Sequence, residues 1–463
     1  MTSKIKVDNI EDTSGNAVVT KCGSTLTIGK TGDTISLASG ASQTGFGRSG
    51  SVDWQTGSIK TTTFTAVSGE GYFVDTSSGS VTVNLPAGVA GAIVSVADYT
   101  RTFQTNSCTI SPNGSEKLGG IAANGVLNQQ GQTATFVYVD ATEGWINVQE
   151  ASATVTGNAN LVATGGTVTE CGDYKIHTFT SPGTFSVSQV SSVCSAHNTV
   201  SYLVIAGGGA GANSGGGDGG GGGGAGGYRE YRSPVSGCYS VSPLNGNPGG
   251  TAVTVTATAY PITVGAGGTT QSAPNCGVSG SNSVFSTITS NGGGGGAKGS
   301  TVGTAGGSGG GSGGGVPGGG TTAGAGNTPP TTPSQGFPGG LGGGGSPNYT
   351  GGGGGGATAA GTGGPSSSSG GNGGAGATTS IDGTPTQRAG GGGGSTYSNP
   401  GSPGSFLGGS GGAGGGGAAQ TRVPTWPTAA VAGTTNTGSG GGGGQCAAAN
   451  GGSGLVIIRY KFQ

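Results

Sequence analysis

The sequence predicts an all-β chain that ends in a glycine-rich bundle, and three observations support this fold class. Glycine makes up 116 of the 463 residues, and 91 of these glycines follow residue 200. Before that point, short stretches rich in β-branched and aromatic residues alternate with turn-forming residues. Over residues 51–150, no helical spacing of apolar residues competes with the strand pattern. We expect an extended, intertwined β segment, a small β-sandwich, and a C-terminal β region with a polyglycine-II helix bundle, assembled as a homotrimer.

The first 50 residues predict a thin, intertwined segment. In residues 1–20, Ile5, Val7 and Ile10 nearly alternate, which is typical of an extended strand. Residues 21–50 contain a short β-repeat, in which each unit is one small strand followed by a glycine-bearing turn. Because such a unit cannot bury its apolar edge alone, we expect it to wrap with copies from other chains as a shaft, most simply in a trimer.

Residues 51–150 predict a compact β-sandwich or meander of about 100 residues, because short strands are separated by regularly spaced turns. The expected strands are 61–66, 71–75, 80–85, 93–96, 108–110, 134–139 and 145–148. Residues 151–172 are interpreted as a linker, since they carry small and polar residues without a strand pattern.

The distal region, residues 173–463, is predicted to be a glycine-rich domain closed by two strands. Residues 454–462 contain four consecutive aliphatic residues that require burial, and residues 199–206 have the matching apolar pattern. If these strands pair, the glycine-rich segment is an insertion closed at both ends by one sheet, which a flexible linker would not need. Further strands are expected at 174–180, 184–188, 228–232, 252–256, 262–264 and 283–287.

The glycine runs predict polyglycine-II helices packed side by side. This conformation has three residues per turn and no internal hydrogen bonds, so each backbone must bond to its neighbours. Glycine allows the required close approach because it has no Cβ, and the resulting network satisfies buried backbone groups in an interior without large side chains.

The insertions between glycine runs are the candidate binding loops. Each contains a turn-forming residue, and most contain an aromatic residue. Loops fixed on a rigid scaffold often carry recognition sites. The alternative is that these side chains cap the bundle hydrophobically. The candidate receptor-binding residues are Phe337, Tyr349, Arg388, Tyr397, Arg422 and Trp426.

The composition favours a structural or adhesive protein over an enzyme or a nucleic-acid-binding protein. Hydrophobic residues make up 30% of the chain and charged residues 7%, with a net charge of −1. No basic stripe is present to neutralise phosphates. Disordered chains usually have high net charge, and this chain does not.

No catalytic, cofactor or metal site is expected. Residues 207–212 match the G-x-G-x-x-A pattern of dinucleotide-binding loops, but the glycines that follow cannot form the helix that such a loop requires. The seven cysteines include no C-x-x-C pair, and His177 and His197 have no partners that indicate metal or base chemistry. Nothing marks a positioned carboxylate pair for glycoside cleavage.

The redox state of four cysteines stays open at this stage. Cys171, Cys194, Cys238 and Cys276 would pair in oxidising surroundings, or they are small buried thiols of a chain assembled inside a cell. The N-terminus has no apolar secretion segment, and no stretch is long and apolar enough to span a bilayer, so we expect neither export by that route nor membrane insertion.

Several segments resemble known phage proteins. The opening residues 1–10, the repeat over 26–40 and the segments 71–73 and 136–140 are similar to N-terminal parts of tail-fibre and virion-appendage proteins of marine bacteriophages. The distal part, from 202–209 through the glycine runs to 452–460, resembles the glycine-rich domain at the C-terminus of phage fibres. It is also similar in design to adhesins whose polyglycine-II core displays variable recognition loops.

This resemblance implies a virion appendage that is assembled in the host cytoplasm and exposed outside the cell. Residues 1–50 would attach to other tail or capsid proteins, and the glycine-rich domain would bind a host surface glycan or outer-membrane protein. The alternative is a purely structural capsid fibre or decoration protein without specific receptor chemistry. Neither reading involves nucleic acid, a cofactor or catalysis.

Overall fold

The computed structural model confirms the all-β class. It describes residues 9–11, 13–15, 17–22, 25–28, 52–149, 160–192, 194–246, 251–315, 322–345, 348–365, 369–397, 406–421 and 428–462. The chain divides into two compact units, Met1–Asn158 and Ala159–Gln463. Within the described ranges the only helical element is a short 3-10 helix, Ser195–Asn198. No helix found there is long and apolar enough to cross a membrane.

The first unit begins with a small antiparallel sheet. Its strands are β1 (Asn9–Glu11), β2 (Ala17–Cys22) and β3 (Thr25–Ile28). Strand β2 lies in the middle and pairs with both neighbours. The predicted repeat beyond residue 28, like the rest of 29–51, lies outside the described residues.

Residues 52–149 form two sheets that enclose one core. The strands are β4 (Asp53–Trp54), β5 (Phe64–Thr65), β6 (Glu70–Val74), β7 (Val81–Asn84), β8 (Ile93–Asp98), β9 (Cys108–Ser111), β10 (Gly125–Leu127), β11 (Thr133–Asp140) and β12 (Gly144–Asn147). One sheet has the order β10-β9-β7-β5, and the other has the order β12-β11-β8-β6-β4. Buried side chains from both sheets meet in a single cluster, which includes Val83, Ile110, Val94, Phe136 and Trp145.

The connections in this sandwich differ from those of a meander. From β4 to β9, successive strands alternate between the two sheets, so strands two apart in the sequence pair in parallel. The sequence expectation left sandwich and meander open, and the structure decides for the sandwich. The physical reason is that the turns carry the chain across the core instead of closing hairpins, which no local turn signal reveals.

The second unit contains the remaining strands. They are β13 (Val162–Thr164), β14 (Thr167–Cys171), β15 (Tyr174–Phe179), β16 (Gly183–Gln189), β17 (Thr199–Ile205), β18 (Tyr228–Tyr231), β19 (Val253–Thr254), β20 (Ala259–Thr263), β21 (Ser283–Phe285), β22 (Ile288–Ser290), β23 (Gly343–Gly345), β24 (Asn348–Thr350), β25 (Ala377–Thr379), β26 (Thr386–Arg388), β27 (Thr396–Tyr397) and β28 (Leu455–Lys461). Strands β13 and β14 occupy residues that the sequence analysis assigned to a linker.

The largest sheet closes the glycine-rich segment. Its order is β14-β15-β28-β17-β18, and β17 and β28 pair antiparallel from Ser201↔Arg459 to Ile205↔Leu455. Both faces of these two strands are covered, because Tyr202 and Val204 face one apolar cluster while Leu203 and Ile205 face another. Double burial explains why the aliphatic residues run consecutively instead of alternating with polar ones.

Between β17 and β28, the glycine runs form straight segments, here called rods, that bond to one another through their backbones. In the rod 207–212, the hydrogen-bond donors repeat every three residues. The N–H groups of Gly207 and Ala210 donate to the segment 278–281, at the carbonyls of Ser281 and Val278. Those of Gly208 and Gly211 donate to the segment 449–452, at Gly452 and Ala449. Those of Gly209 and Ala212 donate to the segment 221–224, at Gly224 and Gly221. A repeat of three is the helical repeat of polyglycine II.

The same rod also accepts hydrogen bonds from three further neighbours. The carbonyls of Gly207, Gly208 and Gly209 accept from the N–H groups of Gly293, Gly268 and Gly441. Six neighbouring segments therefore surround this rod. We call the network of hydrogen-bonded rods the polyglycine lattice. The packing is close because a Cβ at most interior glycines would overlap a neighbouring carbonyl.

Candidate functional site

The rods of the polyglycine lattice run between two ends of the domain. One end, the sheet end, lies at the large sheet, where rod 207–212 leaves β17 and rod 449–454 enters β28. At the opposite end, the far end, the same two segments meet again, since Asn213 Nδ2 donates to Cys446 O at 3.3 Å. Each insertion between rods therefore lies either at the sheet end or at the far end.

A stacked pair of tyrosines lies at the far end. Strands β23, β24 and β27 form a three-stranded sheet in which Tyr349 pairs with Tyr397. The two rings have centroids 6.3 Å apart and planes 19° apart. Alternation along each strand buries the adjacent Thr350 and Thr396 while both tyrosines stay partly exposed. Ser395 places this sheet at the far end, because its Oγ accepts from the N–H of Gly220, just after the 213–219 turn.

A groove of about 630 Å³ lies next to this sheet. Thr350 Oγ1 donates to Pro365 O at 3.4 Å, and Thr396 Oγ1 donates to Leu407 O at 2.8 Å, so the two buried threonines connect the tyrosine strands to the groove walls. Its side chains are neutral and come from loops and rod ends that are distant in the sequence. They are Thr362, Pro365, Ser369, Asn372, Leu407 and Ser410, with glycines between them.

Two of the predicted residues lie at the sheet end instead. Arg388, in β26, is buried, and its Nη2 is 2.6 Å from Asp382 Oδ2. Phe337 lies two residues after Gln335, whose carbonyl accepts a hydrogen bond from the N–H of Tyr228, the first residue of β18. Phe337 is 36% exposed. The structure therefore does not bring these two residues together with the tyrosine pair, and the Arg388 guanidinium is engaged within the chain.

The last two predicted residues, Arg422 and Trp426, lie outside the described residues. Thr421 and Thr428, on either side of them, bridge each other, and Thr428 N donates to Thr421 O at 2.9 Å. The preceding Gln420 accepts from the N–H of Gln445 at 2.7 Å through its Oε1, next to the contact that defines the far end.

A family model for a glycine-rich domain matches residues 179–461. The chain belongs to this glycine-rich domain family. The match begins at the last residue of β15 and ends at the last residue of β28, so it includes β17, β18 and β28 of the closing sheet as well as the rods, while β14 and the rest of β15 precede it. No curated protein matches the chain.

The glycine-rich domain also holds a buried carboxylate that the sequence analysis did not single out. Glu230, in β18, is 2% exposed. Its carboxylate accepts from Thr379 Oγ1 at 2.6 Å, from Ser242 N at 3.0 Å and from Tyr228 OH at 3.3 Å. Burial raises the pKa of Glu230 above its ordinary value, against the lowering effect of these hydrogen bonds. All its partners are internal, so Glu230 ties β18 to β25, and no sequence pattern indicates this contact.

The G-x-G-x-x-A motif of the glycine-rich domain is structural. All six N–H groups of residues 207–212 donate to neighbouring rods, so none is left to bind a pyrophosphate. His177, in β15, is buried and shares hydrogen bonds with Gly165 O at 2.7 Å and Tyr460 OH at 3.3 Å. Across the described ranges no three His, Cys, Asp or Glu side chains are grouped to hold a metal.

The four cysteines that the sequence left open are free thiols in the glycine-rich unit. Cys171, Cys194 and Cys238 are exposed, and Cys276 is partly exposed. They are therefore not the small buried thiols that one of the two alternatives expected.

Proposed function

We propose that this chain is a phage tail-fibre or other virion-appendage protein whose glycine-rich domain binds a host-cell surface receptor at the far end. The observation that carries the proposal is the placement of Tyr349 and Tyr397. Their rings are partly exposed and stacked, on strands that the polyglycine lattice holds in place. A rigid, pre-ordered surface binds with little loss of conformational entropy.

The proposal also assigns a role to the rest of the chain, as part of an assembly of several copies. In the proposal, residues 1–50 attach the protein to other tail or capsid components, and the chain forms a homotrimer. Three copies on one fibre would convert weak contacts into strong attachment through avidity. The partner would be a surface glycan or an outer-membrane protein, and the chain would reside in the virion and act without catalysis.

A purely structural fibre or decoration protein is the second candidate. The composition of the rods favours this second candidate, because rods with few side chains form a stiff spacer with few groups that could recognise a receptor. The two candidates differ in whether particles need the far-end side chains or only the presence of the chain.

Adsorption of virions to host cells tests the proposal. Particles that lack this chain would be supplied with the wild-type protein, with the double variant Tyr349→Ala/Tyr397→Ala, or with Tyr99→Ala. Tyr99 is the matched control, since it is a tyrosine with 56% exposure in the first unit. We expect the double variant to adsorb as poorly as particles without the chain, and Tyr99→Ala to adsorb normally.

Adsorption that does not change when the chain is missing would overturn the receptor-binding proposal. Particles that fail to assemble without the chain, but adsorb normally with the double variant, would support the structural candidate instead.

A further inference from the structure

We propose that the groove beside the tyrosine pair binds an uncharged saccharide unit of a host surface glycan. This inference rests on the proposed function and names the chemical class of the receptor. It is carried by the chemistry of the groove, by the way its polar groups are held, and by its size.

None of the described residues that line the groove carries a charge, and the next cation along the sequence, Arg422, lies outside the described residues. Between residues 341 and 421 the sequence has only two charged residues, Asp382 and Arg388, and these bind each other at the sheet end. A phosphate or an acidic sugar would lose its hydration here without gaining a cation, which is unfavourable. An uncharged ligand has no such cost.

The polar groups of the groove are held in fixed positions across three adjacent rods. The N–H of Asn372 donates to Thr362 Oγ1 at 2.7 Å, and the N–H of Ser410 donates to Asn372 Oδ1 at 2.8 Å. Asn372 is exposed and its Oδ1 is engaged, so Nδ2 is the atom of its amide with which it can donate to a ligand. The hydroxyls of Ser369 and Ser410 add groups that both donate and accept, which suits sugar hydroxyls.

The backbone that carries the apolar surface of the groove is also held by hydrogen bonds. Leu407 is 52% exposed although its carbonyl accepts from both Thr396 Oγ1 at 2.8 Å and Gly370 N at 2.9 Å. Pro365 supplies a second apolar patch. A pyranose ring presents C–H groups on its faces and hydroxyls at its edge, so it complements a surface with apolar walls and polar rim groups.

The size of the groove also fits a short saccharide. Its volume of about 630 Å³ lies within the range of roughly 300–1,000 Å³ that small-molecule sites occupy. The strands that carry Tyr349 and Tyr397 are joined to the groove walls by the hydrogen bonds of Thr350 to Pro365 and of Thr396 to Leu407.

Direct binding to the purified full-length chain tests this inference. The probes are neutral di- to tetrasaccharides of glucose, galactose and mannose, together with sialylated and phosphorylated counterparts of the same length. Isothermal titration or a glycan array would measure affinity. We expect binding of at least one neutral series and at least tenfold weaker binding of its charged counterparts.

Three variants separate the groove from the rest of the domain. Asn372→Asp keeps the acceptor for Ser410 but removes the donor and adds a charge, and Leu407→Ser removes the apolar wall. Both should weaken binding at least tenfold without lowering the melting temperature. Val431→Ser is the matched control, because Val431 is similarly exposed on a rod outside the groove, and it should bind as wild type does.

Equal or tighter binding of the charged saccharides would overturn the inference, as would wild-type binding by Asn372→Asp and Leu407→Ser. If no saccharide binds while virion adsorption still depends on Tyr349 and Tyr397, the inference fails and the proposed function stands. If a neutral saccharide binds in the groove but virions adsorb equally well with and without the chain, the saccharide site stands and the proposed function fails.

Discussion

The β-sandwich of residues 52–149 and the polyglycine lattice fill their interiors with different parts of the chain. The sandwich packs large side chains from two sheets into one cluster, with Phe136 and Trp145 fully buried. The lattice packs backbone against backbone, and its interior rods are surrounded by hydrogen-bonded neighbours. One region is stabilised mainly by removing apolar surface from water, and the other mainly by satisfying backbone groups at close approach.

This difference predicts opposite responses to a change in side-chain volume. Removing atoms leaves a cavity in the sandwich, whereas adding one carbon forces the rods of the lattice apart. The two responses are measurable separately, because the chain forms two compact units and calorimetry would follow the transition of each.

The largest expected effect comes from emptying the sandwich core. Phe136→Ala removes a fully buried ring and should lower the free energy of unfolding of the first unit by about 3–5 kcal/mol. Val139→Ala, on the same strand and 49% exposed, is the control and should change it by less than about 1 kcal/mol. Calorimetry should show the transition of the glycine-rich domain unmoved, and a shift there would contradict the independence of the two interiors.

Adding a methyl group inside the lattice should have the next largest effect. A Cβ at Gly354 would overlap the carbonyl of Gly223 on the adjacent rod. Gly354→Ala should therefore destabilise the glycine-rich domain by about 3 kcal/mol, the upper end for overpacking, because backbone cannot relax as a side chain does. Gly217→Ala is the control, since nothing lies within 4 Å of a Cβ there. Equal melting temperatures for the two variants would refute the close-packed lattice.

A smaller effect should follow from removing one hydrogen-bond acceptor inside the lattice. Ser312 is fully buried, and its Oγ accepts from the N–H of Gly342 at 2.6 Å. Ser312→Ala would leave that N–H without its acceptor and should cost about 1–2 kcal/mol in the chemical unfolding of the domain. Ser300→Ala, at an exposed turn, should cost almost nothing. A neutral Ser312→Ala would show that single bonds in the network are dispensable.

The smallest expected effect is a pH dependence located in the closing sheet. Burial lowers the pKa of His177 below 6.5. Above pH 6.5 both the folded and unfolded states carry the neutral ring, so its contribution is fully present there. As the pH falls below 6.5, the unfolded state binds a proton that the folded state resists, and stability is lost at up to about 1.4 kcal/mol per pH unit.

His177→Phe should remove this dependence while keeping a ring between Phe185 and Tyr460. Unfolding of both proteins would be followed between pH 7 and pH 5. The wild type should lose more stability on acidification than the variant does. Parallel curves would mean that His177 does not titrate differently in the folded state.

Much of this architecture can be predicted from the sequence, because it follows from local patterns. The aliphatic run in β28 and its match in β17 predicted the sheet that closes the glycine-rich segment, and the two strands do pair. The runs of glycine predicted polyglycine II, because only a residue without Cβ allows rods to approach so closely. The strands of the sandwich were also largely predicted, since turns separate them regularly.

Other features depended on contacts between residues far apart in the sequence. The alternation of strands between two sheets, and the strands β13 and β14 in a predicted linker, follow from pairing that no local signal records. The candidate loop residues looked alike in sequence, yet the lattice places Tyr349 and Tyr397 at the far end and Arg388 against Asp382 at the sheet end. The groove was not foreseen because its walls come from segments that meet only when the rods assemble.

The sequence by itself determined the kind of interior that this chain builds. Where glycine replaces larger residues there is too little apolar surface for a core, so backbone hydrogen bonds must fill that role. Only the tertiary structure decided which loops share an end, because that depends on the direction of each rod and on the neighbours to which it bonds. Rod direction is a property of the assembled network, and each short insertion by itself is compatible with either end.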